Sequence, residues 1–419
     1  MLALYNTLGL LARPLAAGWA AWQRRDPRLA DEWNQRMARE LPARLPGSVW
    51  LHGASVGEAR LVSALASRFG EHLPEIPRAV SAVTRTGLER LPRDAAARFL
   101  LPFDFRGFPG RVLDRIEPRL LVLLETELWP NLIHEASARD VPIALVNARL
   151  APTRIRRYRR FSGLYRPLLE RIDYIGAQSG DDAERFESLG AGSNIEVTGN
   201  MKFDLTAPPL DRISLDRRLG GLDERPVLVA GSTRPGEEQA VLEAFDVLRR
   251  SFPSLLLILA PRHLERTEEV ARLVREAGWE PESWSGLDER GAGRPDVVLV
   301  DTLGELASLY GIATVAFVGG SLEPFGGHSP LEPAVTGTPV LFGPHTGNFE
   351  ESARRLLDSK GARRVQDATD LTAAASVWLA DPALREAAGQ SAAELVRDHS
   401  GATARTFAAL ERLLKARPL

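Results

Sequence analysis

The chain has 419 residues, too many for one ordinary core, so two domains of roughly 200 residues each are expected. Its 44% apolar and 26% charged content are those of a soluble globular protein, and a net charge of −2 argues against a global nucleic-acid binder. The lack of cysteine excludes disulfides, thiol nucleophiles and Cys-based zinc sites; with seven scattered histidines and no D-x-D pair, no bound metal is expected.

Residues 1–25, MLALYNTLGLLARPLAAGWAAWQRR, are apolar over about twenty positions but are interrupted by Arg13 and Pro14. A signal peptide wants its positive charge ahead of the apolar core, whereas Arg24 and Arg25 follow it. Trp19 and Trp22 beside those arginines suit a membrane interface. The plainer alternative is a core helix covering the first domain.

From residue 26 to 207 one unit recurs: a short β-rich run, a small-residue turn, an amphipathic stretch. SVWLHGASVGEARLVSALASRF, IPRAVSAVTRTGLERL and RLLVLLETELWPNLIHEASARD all follow it, and VPIALVNARL, RIDYIGAQS and IEVTGNMKFD add further strands. LTAPPLDRISLDRRLGGLDERP holds paired prolines and glycines and reads as a linker. The pattern restarts within 208–419 with RPVLVAGSTRPGEEQAVLEAFDVLRR, where Glu237 and Glu238 mark a first helical turn. SLLLILAPRH, DVVLVDT, ATVAFVGG and TPVLFG are buried-type strands, and the segment from about Pro382 is helical and Ala-rich, its last helix free to cross back to the first domain. Strands alternating with helices predict an α/β fold with parallel sheets, two Rossmann-like domains facing a cleft.

Such sheets bind ligands at the carboxyl ends of their strands. That rule selects Ser55–Glu58, Thr84–Gly87, Glu125–Glu127, Asn147–Arg149, Gly199–Lys202, Gly231–Arg234, Pro261–His263, Gly319–Ser329 and Gly343–Asn348. In GASVGE, Glu58 falls in a first helical turn, where the dipole favours its ionised form; it is either a helix-start residue or a general base. Glu125 and Glu127 follow an apolar strand at i and i+2, so on extended backbone they point to opposite faces and one faces the cleft, with Arg149 or Lys202 as partner. In GGSLEPFGGHSPLEPAVTG, Ser329, Pro330 and Glu332 predict a capping box, and the glycines and His328 ahead of that helix predict an anion site. Arg262 and His263 suit a phosphate or a base, and Glu332 a sugar hydroxyl. RLAPTRIRRYRRFSGLYRPLLER carries eight arginines and one glutamate, with Ile155, Tyr158, Phe161, Leu164, Tyr165 and Leu168 at helical spacing. It reads as one amphipathic helix whose basic face is either solvated or meets an anionic membrane or acidic substrate.

Taken in order, WLHGASVGE, LLETELWPNL, NARL, GNMKFD, AGSTRPGEE, APRHLER, GGSLEPFGGHSPLEPA and GPHTGNFEE resemble the 3-deoxy-D-manno-octulosonic acid (Kdo) transferases of lipopolysaccharide biosynthesis, essentially end to end. The resemblance implies a GT-B glycosyltransferase: an acceptor-binding domain over 26–207 for a lipid A precursor of the lipid IVA type, and a CMP-Kdo-binding domain over 208–419. It implies inverting transfer without a metal or other cofactor, at the cytoplasmic face of the inner membrane, with the N-terminal segment as anchor. It places the general base on Glu58 and a positioning or stabilising acid on Glu125. For the donor the candidates are Ser232, Thr233, Arg234, Pro261, Arg262, His263, Gly319, Gly320, Gly326, Gly327, His328, Ser329, Glu332 and Asn348. For the acceptor or a phosphate they are Ser55, Gly57, Thr84, Arg149, Asn200, Lys202, Arg156, Arg157, Arg159 and Arg160. The chain departs from the family pattern at Arg234 (usually His), Ser329 (usually Asn) and Ala151 (usually Ser), and it lacks the usual R-F-G-like signature before the first strand. Two rivals stand: a non-hydrolysing nucleotide-sugar epimerase on the same architecture, and an exported bilobal sugar-binding protein.

Overall fold

The computed structural model describes residues 1–23, 25–192, 194–223, 225–287 and 293–416. Two compact units divide the chain: Met1–Lys202 with Gly401–Leu419, and Phe203–Ser400. The division falls where burial changes hands, since Phe203 is buried with Val318, Leu331 and Phe342 of the second unit.

The first unit holds a seven-stranded sheet: β1 (Val49–His52), β2 (Arg78–Ala82), β3 (Ala97–Leu100), β4 (Leu120–Leu124), β5 (Ile143–Ala148), β6 (Tyr174–Ala177) and β7 (Ile195–Val197). The order is β3-β2-β1-β4-β5-β6-β7, every pair parallel. Period-two geometry sends alternate side chains to opposite faces. Leu51, Val122 and Leu124 join the layer with Val62, Leu65 and Phe69, while Trp50, Leu121 and Leu123 join the layer with Leu132, Ile133 and Leu145. Both faces are covered, which is why these strands read as unbroken apolar runs. Because the chain leaves β1 toward β2 but resumes at β4 on the other side, the loops after β1 and β4 diverge; this is the switch point where such sheets take ligands.

The second unit repeats the plan with β8 (Val227–Thr233), β9 (Leu256–Pro261), β10 (Pro281–Ser283), β11 (Val297–Leu299), β12 (Val315–Val318), β13 (Val340–Phe342) and β14 (Ala362–Arg364). The order is β10-β11-β9-β8-β12-β13-β14, again all parallel, with the switch point between β8 and β12. The strands that the sequence pattern does not reveal, β3, β10 and β14, are all edge strands of three or four residues. An edge strand is packed on fewer sides and needs no continuous apolar run.

Two helical expectations are corrected. The stretch Arg149–Arg171 is not one helix: Pro152–Arg160 and Ser162–Leu169 are separated at Phe161 (φ −108°, ψ 30°). Ser162 and Gly163 are weak helix formers there and Pro167 withholds an N–H, so the chain restarts rather than continues. Ile155, Tyr158, Leu164 and Tyr165 still pack on the core, but Phe161 is turned out. Nor is the N-terminal segment a core helix. Leu2–Gln23 is helical with Pro14 inside it and buries only Ala20. Leu4, Leu8, Leu10, Leu11, Leu15, Trp19 and Trp22 are exposed. It is tied down by Tyr5, whose hydroxyl donates to Asp104 Oδ2 at 3.1 Å, and by Arg13 over the Phe108 ring at 4.5 Å. Among the described residues no helix is long and apolar enough to cross a membrane; Arg24, one of the two arginines read as flanking the segment, lies outside them.

Candidate active site

In the first unit, β1 runs into the helix Val56–His72 through Gly53, Ala54 and Ser55. Ser55 is the N-cap: its Oγ accepts the Glu58 N–H at 3.4 Å and donates to Glu58 Oε1 at 3.0 Å, while the Ala54 N–H donates to Oε2 at 2.5 Å. The helix-start reading of Glu58 therefore holds as a capping box shifted by one residue. Gly53 makes the fold-back possible, since a Cβ there would sit 2.9 Å from Glu58 Cβ. Glu58 is 9% exposed, and its carboxyl is raised above the usual carboxylate range, first by burial and then by the charge of Glu125. The hydrogen bonds from Ala54 and Ser55 and the charge of Lys202 oppose this without cancelling it. The helix-start contacts favour the ionised form as expected, but loss of water outweighs them and the net direction is upward.

Across the switch point, Glu125 directly follows β4, and its φ of 55° turns the chain sharply. The opposite-faces expectation fails because it assumed extended backbone. Glu125 raises Glu58, and Glu58 and Glu125 both raise Glu127, so the three carboxylates share one electrostatic neighbourhood. Glu127 is pushed up to about 7, first by burial and then by Glu58, against the Trp129 indole N–H that donates to its Oε2 at 2.8 Å. Glu125 Oε1 pairs with Lys202 Nζ at 2.7 Å. Of the two partners considered, Lys202 makes this ion pair; the Arg149 carbonyl accepts the Thr126 hydroxyl at 2.7 Å. Lys202 is delivered by a built turn: Asn147 (φ 50°) in the irregular end of β5 accepts the Met201 N–H at 2.9 Å, and Asn200 Oδ1 accepts the Lys202 N–H at 3.0 Å. Thr84 caps the helix Arg85–Arg90, and Gly87 of that turn lies against Ser55. Ser55 and Gly57 are exposed above Glu58. Beneath the acids, His52 is fully buried and held near 3, hence neutral; its Nδ1 is 2.8 Å from Ser81 Oγ and its Nε2 3.9 Å from Glu127.

At the switch point of the second unit, β8 ends in a bulge with Ser232 at φ 57°. Thr233 is buried, and its carbonyl accepts the Arg262 N–H at 3.0 Å, tying the ends of β8 and β9 together. Glu237 has no solvent exposure and accepts four backbone N–H groups: Arg234 (2.9 Å) and Gly320 (2.6 Å) on Oε2, Ser321 (2.8 Å) and Leu322 (2.8 Å) on Oε1. Such charge-assisted bonds contribute roughly 1.5–3 kcal/mol each. Gly319 must be glycine, because a Cβ would lie 2.6 Å from the Thr233 Cα. Arg234 reaches His263 (Nη1 to Nε2, 2.5 Å) and lies 5.0 Å over the Phe325 ring. His328 is pushed down to about 4 by burial and then by Arg262, Arg234 and His263, which shows these basic side chains gathered around it. Gly326 and Gly327 close the loop, the Gly327 N–H on the Gly320 carbonyl at 2.6 Å and the Asn348 N–H on the Gly326 carbonyl at 2.9 Å. The capping box expected at Ser329 and Glu332 is absent. The helix starts after Pro330 with no side-chain cap and spans only Leu331–Val335, with Pro333 inside it. So short a helix offers no dipole site for an anion, and the positive charge comes from side chains instead. Glu332 bears on the buried Tyr310, whose hydroxyl its charge helps to raise.

A family model described as 3-Deoxy-D-manno-octulosonic-acid transferase (kdotransferase) matches residues 31–205. The chain is 36% identical over 413 residues to the 3-deoxy-D-manno-octulosonic acid transferase of Bordetella pertussis, covering 94% of this chain and 95% of that one. It is 34% identical over 377 residues to the enzyme of the same name from Haemophilus influenzae, covering 88% of each. The chain belongs to the Kdo transferase family. Among solved structures, UDP-GlcNAc 2-epimerase from Neisseria meningitidis aligns with a TM-score of 0.58 over 88% of this chain and 100% of that one, at 13% identity. That likeness shows the fold alone, two Rossmann-like α/β domains of GT-B type, so the epimerase reading rests on shared architecture.

In this Kdo transferase the motif residues Glu58 and Glu125 are brought together as the sequence pattern implies; that pattern leaves open which of Glu125 and Glu127 faces the site, and it does not single out His52 or Glu237. Trp129 is the signal for Glu127, since a partly buried indole N–H needs an acceptor. For Glu237 it is the run of small residues on both switch-point loops, whose turned-in amides need one acceptor. Of the positions that depart from the family pattern, Arg234 has its own contacts, and Ala151 caps Pro152–Arg160 without a side-chain hydrogen bond. Arg156, Arg157, Arg160 and Phe161 line a shallow depression of about 430 Å³, while Arg159 points to Ser188 Oγ at 3.5 Å.

Proposed function

We propose that this transferase moves Kdo from CMP-Kdo to a lipid A precursor of the lipid IVA type, with inversion and without a metal or other cofactor, in the assembly of the lipopolysaccharide core. The observation that carries the reading is the environment of Glu58. It is a carboxylate at a switch point whose pKa is raised by burial and by Glu125, which makes it a stronger base than a solvated carboxylate. In the proposed step an acceptor hydroxyl oxygen bonds to the anomeric carbon of Kdo, its proton passes to Glu58, and the bond from that carbon to the CMP phosphate oxygen breaks. Charge develops as an oxocarbenium-like centre on the sugar and as anion on the departing phosphate. The Glu125–Lys202 pair holds the acidic site in register, and Ser55, Gly57, Thr84, Arg149 and Asn200 line the acceptor side. In the second unit Arg234 and Arg262 neutralise the phosphate with His263 beside them, while Ser232, Thr233, Pro261, Gly319, Gly320, Gly326, Gly327, His328 and Asn348 shape the loops that take the nucleotide.

The proposed location is the cytoplasmic face of the inner membrane. Supporting it, the helix Leu2–Gln23 turns its leucines and tryptophans outward, and the exposed Phe161 stands among Arg156, Arg157 and Arg160. The start of that helix lies beside the basic stretch, since a Cβ on Gly163 would sit 3.0 Å from Met1 Cγ. An apolar wedge flanked by cations suits an anionic lipid surface.

The test is incubation with CMP-Kdo and a tetraacylated, bis-phosphorylated lipid A precursor, with the product weighed by mass spectrometry. Addition of Kdo mass, unchanged by EDTA, is expected; no added mass overturns the reaction, and loss of activity with EDTA overturns metal independence. Glu58→Gln should lower the rate by about 10²–10⁴, the range for a missing acid–base group, while CMP-Kdo still binds.

A further inference from the structure

Glu237 lies at the start of the helix Glu237–Ser251, where an acid is ordinarily a helix-start residue. Its carboxylate does something else. Fully buried, it accepts Arg234 N–H from the loop after β8 and Gly320, Ser321 and Leu322 N–H from the loop after β12. These are the two loops of the switch point. Three consecutive amides converging on one side chain fix the turn that opens the GGSLEPFGGH loop, and the fourth fixes the backbone of Arg234. The same turn carries the next contacts outward: the Gly320 carbonyl accepts from Gly327, and the Gly319 carbonyl accepts from His328 at 3.1 Å. The loop is therefore built on one carboxylate rather than on a helix end.

We propose that Glu237 is the positioning residue of the donor site: it pre-forms both nucleotide-side loops before the donor arrives and makes no contact with the donor itself. This rests on the reading of the second unit as the CMP-Kdo domain, which wild-type turnover tests separately. Glu237→Gln keeps the shape but replaces one acceptor oxygen by an NH₂ group facing backbone donors. The expected result is a donor KM raised at least tenfold with the acceptor KM unchanged. A donor KM within twofold of wild type, or equal rises in both KM values, overturns the proposal. A second measurement needs no variant: in the unliganded wild-type protein, the amides of Gly320, Ser321 and Leu322 should exchange hydrogen as slowly as those of β12. Rapid exchange that becomes protected only when CMP is added would mean that the donor, not Glu237, forms the loop.

Discussion

Glu58, Glu125 and Glu127 are like charges held in one partly dehydrated place, with Lys202 the cation paired to Glu125. Like charges and burial act in the same direction on a carboxylate, raising its pKa, and a nearby cation acts against them. This makes the pH dependence of the reaction readable from substitutions that leave Glu58 in place. If Glu58 must be ionised to accept the proton, kcat/KM climbs with pH through its raised pKa. Glu125→Gln removes a negative charge that disfavours ionisation and releases Lys202 from its ion pair, so both effects lower the Glu58 pKa. The acid limb of the profile should then move to lower pH, whatever happens to the plateau rate. Lys202→Met removes the opposing cation, and the limb should move to higher pH. Rate profiles of the two variants check the pair of signs, and shifts in the same direction would exclude Glu58 as the group that titrates.

At the scale of elements, the proposed lipid binding divides into two separable parts, the outward face of Leu2–Gln23 and the cations of Pro152–Arg160. Apolar burial is indifferent to salt, whereas each cation near an anionic surface contributes about 1 kcal/mol and is screened by salt. Changing Leu8, Leu11 and Leu15 to Glu should abolish flotation with vesicles containing anionic lipid. Changing Arg156, Arg157 and Arg160 to Gln should weaken binding by roughly a hundredfold at low salt, by that same per-cation contribution, and flatten its salt dependence. Wild-type flotation by the leucine variant would show that this helix is not what meets the lipid. The basic stretch also shows the limit of periodicity. Its apolar spacing correctly picks out Ile155, Tyr158, Leu164 and Tyr165 as core-facing, yet the same spacing includes Phe161, which marks a break and faces outward. Spacing describes a helix once it exists, and the local cost of Ser162, Gly163 and Pro167 decides where it stops. Likewise S-P-L-E has the letters of a capping box, but Pro330 and Pro333 leave the segment only one turn long.

Over the whole molecule the architecture was the more legible part, because buried parallel strands must be apolar on both faces and so announce themselves. The edge strands β3, β10 and β14 and the clasp around Glu237 were not, because a three- or four-residue edge carries no long apolar run and the clasp joins segments far apart in sequence. The chain's end is a second long-range feature. After Gly401 (φ 86°) the helix Ala402–Ala416 belongs to the first unit, some two hundred residues from its other parts in sequence. It buries Phe407, Leu410 and Leu414 in the layer with Leu65 and Phe69, the Phe407 ring 5.0 Å from that of Phe69. Arg405 donates to the Thr198 carbonyl at 2.9 Å, and Arg412 pairs with Glu196 at 2.9 Å, both in the segment formed by β7 and the residues just after it. Losing a buried phenylalanine alone costs about 3–5 kcal/mol, a large share of the stability of an ordinary domain. Removal of everything after Ser400 should therefore loosen the unit at the opposite end of the sequence. Amide exchange across β1, β4 and β5 should accelerate, and Kdo transfer should fall with it. Exchange across β8, β9 and β12, only a short way upstream of the cut in space of sequence compared with β1, should not change. Acceleration confined to the second unit's strands would contradict this assignment of the last helix, and the two sets of peptides can be followed in a single mass-spectrometric exchange experiment.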